Sequence, residues 1–186
     1  FSHQNLTGAK FRGSLLNEVN FSGTNLTNAD LTNTQLHRAS MNGVTIRGAR
    51  LLGASLTGMD SGGLTGKPAS LPKGAILTNS ILVAPGVNIR NVNLGKADLR
   101  KADLSGVFSA GLTGTPLLPR SWCFKGGHLI GPTANLSGVK LEILDLSGCN
   151  LSGGALRGLA TSGVTGSPIL PIGARLINGY IVGPGA

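Results

Sequence analysis

Asn25-Leu26-Thr27-Asn28-Ala29-Asp30-Leu31-Thr32-Asn33-Thr34-Gln35-Leu36 places a leucine at every fifth position. The register runs outward from this stretch without a miss, through Leu6, Phe11, Leu16, Phe21, Leu26, Leu31, Leu36, Met41, Ile46, Leu51 and Leu56. Two residues before each centre stands a smaller side chain, as at Ala9, Ser14, Val19, Thr24, Ala29, Thr34, Ala39, Val44, Ala49 and Ala54. A period of five matches neither a 3.6-residue helix nor the two-residue alternation of a strand. It requires a backbone that turns a corner every five residues, which is a solenoid.

The pattern returns twice. Ile89, Leu94, Leu99 and Leu104 are centres of a second block, preceded by Val87, Val92, Ala97 and Ala102. Leu136, Leu141, Leu146, Leu151 and Leu156 are centres of a third, preceded by Ala134, Val139, Leu144, Cys149 and Gly154. Ala29-Asp30-Leu31-Thr32-Asn33, Ala97-Asp98-Leu99-Arg100-Lys101 and Ala102-Asp103-Leu104-Ser105-Gly106 resemble the repeat of pentapeptide-repeat proteins. That family repeats a small residue, Asp or Asn, Leu or Phe, and two variable polar positions. The resemblance implies an all-β fold, a right-handed quadrilateral β-helix with one pentad per side and four per coil. Central residues and the small residues two before them would then point inward. Coils stacked at about 4.8 Å would pair backbone to backbone, and column packing would override the poor strand propensity of leucine.

A longer repeat separates the blocks. Ser61-Gly62-Gly63-Leu64-Thr65-Gly66-Lys67-Pro68 recurs as Ser109-Ala110-Gly111-Leu112-Thr113-Gly114-Thr115-Pro116 and as Thr161-Ser162-Gly163-Val164-Thr165-Gly166-Ser167-Pro168. Each copy runs on to Leu71-Pro72, Leu118-Pro119 or Leu170-Pro171, then to an apolar segment broken by a turn. Asn178-Gly179 between apolar runs reads as a hairpin turn or as a corner of the solenoid. The next centre after Leu56 is Ile89, and the next after Leu104 is Leu136. Neither separation is a multiple of five, so each interval holds an excursion. The Pro-bearing half is the expected excursion, because proline cannot donate to a central ladder. The later apolar part, Ile76 to Val83 and Phe124 to Ile130, is expected to pack against or inside the wall.

The chain thus reads as a single solenoid domain over 1–186. Its repeat blocks are 4–60, 87–108 and 134–160, with irregular Pro/Gly-rich loop or hairpin insertions at 61–86, 109–133 and 161–186. Thirty Gly and nine Pro fit corners and loops. No run of 18 apolar residues is present, so no membrane span is expected. Asn-x-Ser/Thr strings such as Asn5-Leu6-Thr7 follow from the repeat and say little about glycosylation. Composition leaves the compartment open.

Chemistry is sparse. His3, His37 and His128 have no repeated spacing to acids or cysteines. Cys149 falls on an inward small position and reads as a compact hydrophobe. Cys123, beside Trp122, reads as a packed thiol rather than half of a disulfide. Cys123 and His128 are two potential ligands where zinc wants four. Asp98 and Asp103 precede successive centres as repeat residues do. Gly66-Lys67-Pro68 lacks the Ser/Thr of a phosphate loop. No catalytic, cofactor-binding or metal-binding residue is assigned, and no cofactor is implied.

Sixteen basic residues against seven acidic ones give +9, which favours acidic partners. Folded on a square, the cations form no single stripe. Lys10 and Arg12 fall with Asp30 and Arg50, and Asp98 and Asp103 interrupt Arg90, Lys96, Arg100 and Lys101. Seven aromatics offer little stacking for bases. Some pentapeptide-repeat relatives resemble B-form DNA in outline and negative charge and bind DNA gyrase; a net charge of +9 departs from that pattern in sign.

The expected function is therefore a non-enzymatic structural or protein-interaction scaffold for an unknown protein partner, with the loops at 61–75, 109–122 and 161–173 as variable surface. The alternative is a basic module for nucleic acid or another polyanion. The third copy stops at Gly183-Pro184-Gly185-Ala186, where the second goes on as Gly131-Pro132-Thr133-Ala134. No polar capping segment is evident at either terminus, which points to a fragment of a longer solenoid or to head-to-tail stacking between copies.

Overall fold

In regular pentads the backbone supplies what the five-residue period demands. Around Leu26, the Leu26 N–H donates to Thr45 O (2.8 Å) and the Asn28 N–H to Arg47 O (2.8 Å). The Asp30 N–H donates the opposite way, to Ala9 O (2.9 Å), and the Ala29 N–H closes the corner on Leu26 O (3.0 Å). The corner requires a left-handed residue two after the centre. Gly fills it at Gly43 (φ 69) and Gly48 (φ 69), and Asn at Asn28 (φ 57) and Asn33 (φ 57), the residue types that enter this region at least cost.

The computed structural model describes residues 1–184 of this chain. Gly185 and Ala186, the last residues of the expected third copy, lie outside the described residues. The chain divides into two compact units, Phe1–Ile89 with Lys101–Asp103, and Arg90–Arg100 with Leu104–Ala186. Both are built of strands and isolated bridges, with no helix among the described residues, the content of a β-helix type fold.

In unit 1, parallel bridges join positions four pentads apart, as in Asn5↔Asn25↔Thr45↔Thr65 and Lys10↔Asp30↔Arg50↔Ser70. This register stacks Leu26 on Ile46, Leu31 on Leu51, and Leu36 on Leu56, all buried. Each leucine fully removed from water contributes about 1.5–3 kcal/mol. The small side chains Ala29, Ala39 and Ala49 are buried beside them. In unit 2 the same register appears as Asn93↔Thr113, Asn135↔Ala155 and Asp145↔Thr165, and as the parallel pair β5 (Lys140–Glu142) with β6 (Ala160–Ser162).

Each interval contains one antiparallel hairpin. In unit 1, β1 (Ile76–Thr78) pairs with β2 (Ile81–Val83). In unit 2, β3 (Cys123–Lys125) pairs with β4 (His128–Ile130), and β7 (Arg175–Ile177) with β8 (Tyr180–Val182). Asn178-Gly179 is therefore a hairpin turn.

The expectation that the Pro-bearing half leaves the ladder is overturned in all three intervals. Thr65 bridges Thr45, the Gly48 N–H donates to Lys67 O (2.8 Å), and the Ala69 N–H donates to Ala49 O (2.8 Å). Thr113 and Thr165 bridge Asn93 and Asp145 in the same way. Proline is tolerated because its neighbours make the ladder bonds: Lys67 O and the Ala69 N–H flank Pro68, and the Leu117 N–H and Ile169 N–H follow Pro116 and Pro168. The hairpin is the insertion. It moves the bridge partner of Asp60 to Asn88, well beyond Ser80, the position that four pentads would give. In the second copy Asp98 pairs with Leu117, one position short of four pentads, so a residue is also lost beside Pro116. These two changes account for the off-register steps from Leu56 to Ile89 and from Leu104 to Leu136.

The hairpins are seated by a shared device. Continued through the interval, the five-residue register puts Ser61, Ser109 and Thr161 at the next centres, where an apolar residue would otherwise stand. Their hydroxyls accept the N–H of Leu82 (2.7 Å), Leu129 (3.0 Å) and Ile181 (2.8 Å). Leu82, Leu129 and Ile181 are buried and replace the missing centre. The turns are tied by Leu64 N–H to Ser80 O (2.8 Å), Leu112 N–H to Gly127 O (3.0 Å) and Val164 N–H to Gly179 O (3.1 Å).

Cys123 and Cys149 are not separate thiols. They form a disulfide, with Cα atoms 5.6 Å apart and a sequence separation of 26. Cys149 occupies the buried inward position expected of it, and the β3–β4 hairpin brings Cys123 to the same core.

Two outcomes follow for stability. Leu31 is fully buried and Leu52 is 58% exposed. Leu31→Asp should therefore cost about 3–5 kcal/mol, and Leu52→Asp no more than about 0.5 kcal/mol, in urea melts; equal losses would refute the inward register. Closing a loop of this length with a disulfide contributes about 3 kcal/mol in the chain-entropy account. Cys123→Ala/Cys149→Ala should lose that amount, and the wild type should take up iodoacetamide only after reduction.

Candidate functional site

The residues that sequence reading weighed for chemistry are placed in separate, satisfied environments. His37 Nε2 lies 2.8 Å from Ser55 Oγ on the half-buried surface of unit 1. His128 is buried, with Nδ1 3.0 Å from Ser109 O. Cys123 is in the disulfide and holds no thiolate for a metal. Asp98 accepts three bonds from Arg100, from the backbone N–H (3.1 Å), Nε (2.9 Å) and Nη2 (2.7 Å). The Asp103 N–H donates to Gly74 O (2.9 Å). Among the described residues no group of three or more His, Cys, Asp or Glu could hold a metal ion. No helix among them is long and apolar enough to cross a membrane.

Two surfaces stand out. The first is in unit 2, where the outward side chains of the third hairpin are uncovered. Tyr180 and Val182 are each 53% exposed. Their counterparts Ile81 and Val83, and His128 and Ile130, are buried. In the second copy, pentads of the same unit lie against the hairpin. Cys149 is bonded to Cys123, and Leu144 fills the space where a side chain at Gly126 would stand. Ile143 also lies open, 85% exposed and at φ 52, a conformation that β-branched residues rarely adopt. It occupies the left-handed corner position that Gly or Asn takes at most other corners and Glu18 and Arg38 at two, and its N–H donates to Ser162 O (2.8 Å).

The second surface is a corner of unit 1. The bridged column Lys10, Asp30, Arg50, Ser70 runs beside Arg47 and Lys67, which are neighbours in the column three residues earlier. All five cations in this region, with Arg12, are exposed. Asp30 is held below the usual carboxylate range, first by hydrogen bonds from the Thr32 hydroxyl and N–H, then by Arg12 and Arg50. Lys67, Pro68, Ala69, Ser70, Leu71 and Leu77 line a groove of about 430 Å³ that opens here. The expectation of no basic stripe rests on the acids that lie among the cations, Asp30 here and Asp98 and Asp103 in the second block. In the ladder, Lys67 stacks next to Arg47.

Comparison with known proteins agrees with the repeat. No curated protein matches the sequence. Among solved structures, a pentapeptide repeat protein of the Arabidopsis thaliana thylakoid lumen is 22% identical, over 73% of this chain and 67% of that one, with a TM-score of 0.36. HetL, a pentapeptide repeat protein involved in heterocyst differentiation regulation in the cyanobacterium Nostoc sp. strain PCC 7120, is 21% identical over 100% and 92%, with a TM-score of 0.38. QnrB1, a plasmid-mediated fluoroquinolone resistance protein, is 16% identical over 90% and 78%, with a TM-score of 0.35. The family model for pentapeptide repeats matches eight copies, at residues 5–43 and 85–107. Over those residues the chain is built of the repeats of the pentapeptide-repeat family.

Proposed function

We propose that this chain is a non-enzymatic scaffold, a right-handed quadrilateral β-helix acting as a single domain over 1–186, that engages protein partners, copies of itself included, through the open face of the third hairpin. Bridges between positions four pentads apart correspond to four sides per turn, which supports a square section. The family resemblance supports the right hand. The observation that carries the functional reading is the contrast between hairpins. The same motif, with the same hydroxyl anchor, is buried at Val83 and Ile130 and half exposed at Val182 and Tyr180. Apolar surface of this kind marks interaction sites more often than ordinary exterior. The disulfide fits folding in an oxidising compartment.

Sedimentation velocity over a wide concentration range tests the self-associating branch. The expected result is a mass that rises with concentration, and Tyr180→Lys/Val182→Lys should weaken association by roughly tenfold or more, about 1.4 kcal/mol. A strict monomer at all concentrations, or association untouched by the double change, would remove this face from the reading.

A further inference from the structure

The corner of unit 1 combines two features that a merely solvated surface does not need. Charge is the first. Lys10, Arg12, Arg47, Arg50 and Lys67 share this corner with one carboxylate, Asp30, which already accepts the Thr32 N–H at 3.1 Å. The remaining acids of the unit lie elsewhere: Glu18 pairs with Arg38 (3.6 Å), Asp60 accepts the Asn88 amide (2.6 Å), and the Asp103 backbone is bonded at Gly74. Shape is the second. Gly66 (φ 80) has Arg47 Cβ 2.7 Å from where its own Cβ would be, so the absence of a side chain at Gly66 lets the Lys67 segment settle against Arg47. Beyond Lys67 the groove is walled by Pro68, Ala69, Leu71 and Leu77, which are apolar.

We propose that this corner binds an acidic peptide segment of a partner protein that also carries an aliphatic side chain, with carboxylates on Arg47, Arg50 and Lys67 and the aliphatic group in the groove. Arginine forks match carboxylates in paired hydrogen bonds, and fields of one sign steer oppositely charged segments to their site. Nucleic acid fits less well. A phosphate polymer gains nothing by filling an aliphatic groove, and the aromatics of this unit are Phe1, Phe11 and Phe21, packed on one another at centroid distances of 5.5–6.0 Å and thus poor platforms for bases. The proposal rests on the scaffold reading and names a partner chemistry for a second surface. It does not depend on the third hairpin, because peptide binding is read whatever the mass of the protein.

Fluorescence anisotropy of the intact protein with a labelled peptide alternating glutamate and leucine tests it, against a glutamate–serine peptide of equal length and charge and a short DNA duplex. The glutamate–leucine peptide should bind roughly tenfold tighter than the glutamate–serine one. Arg47→Glu/Arg50→Glu should weaken it by roughly tenfold or more, while Lys73→Glu/Lys101→Glu, an equal change of charge at residues that do not line the groove, should weaken it less than about threefold. Arg47→Gln/Arg50→Gln should give a smaller loss in the same direction and keeps the test valid if the reversal fails to fold. Equal affinity for the two peptides, equal loss from the two reversals, or tighter binding of the duplex would each overturn the proposal.

Discussion

The backbone of a five-residue corner cannot satisfy its own hydrogen bonds, and every other feature of this protein follows from how that need is met. Within a pentad one backbone pair closes locally, such as the Ala29 N–H on Leu26 O (3.0 Å), and an Asp or Asn before the centre takes the N–H after it, as Asp30 takes that of Thr32 (3.1 Å). The other donors and acceptors must find the coil before or the coil after, because buried peptide groups left unpaired are costly. A coil is therefore stable only between neighbours, and side chains stack in columns as a consequence of backbone pairing. Apolar centres then supply the favourable term. The left-handed residue two after most centres is the local condition that makes the corner possible.

This division explains what could be read in the sequence. Column positions repeat every five residues and require apolar side chains, so Leu26, Leu31 and Leu36 announced the register, and their burial follows it. Most left-handed corners are written as Gly or Asn, though Glu18, Arg38 and Ile143 fill three of them. The intervals were harder, because proline was weighed by its missing donor alone. At Pro68 the ladder uses Lys67 O and the Ala69 N–H, so that donor is not needed. The signal that located the hairpins was present in the same register. Counting five on from Leu56, Leu104 and Leu156 gives Ser61, Ser109 and Thr161, polar residues where the column needs an apolar one. A hydroxyl there has a purpose only if a second chain segment arrives to be bonded.

The disulfide shows the limit of pattern reading. Cys149 was legible as an inward residue because it sits in register. Cys123 has no register, being in a hairpin whose path is set by tertiary contacts, so no spacing rule brings the two together. The basic corner was hidden for a related reason. Arg47 and Lys67 are separated by a full coil of sequence and meet only if the Gly66-Lys67-Pro68 segment lies in the ladder.

The two candidate surfaces sit where the repeat departs from its rule, and there is a physical reason for that. Inside a regular block, outward positions answer to the corner backbone and to solubility, whereas each inward position is fixed by its column. An inserted hairpin breaks the equivalence. It brings side chains that no column demands, and it leaves a groove beside the ladder it interrupts, as Leu77 does against Pro68 and Leu71. The three hairpins share one anchor, so their differences lie in what covers them. Val83 and Ile130 have lost their exposed surface, and Val182 has kept it. The hydroxyl anchor is what the fold requires of each hairpin; the exposure of its outer side chains is not. Ile143 marks the same distinction at a single residue: the corner dictates its left-handed backbone, and nothing in the column dictates an isoleucine.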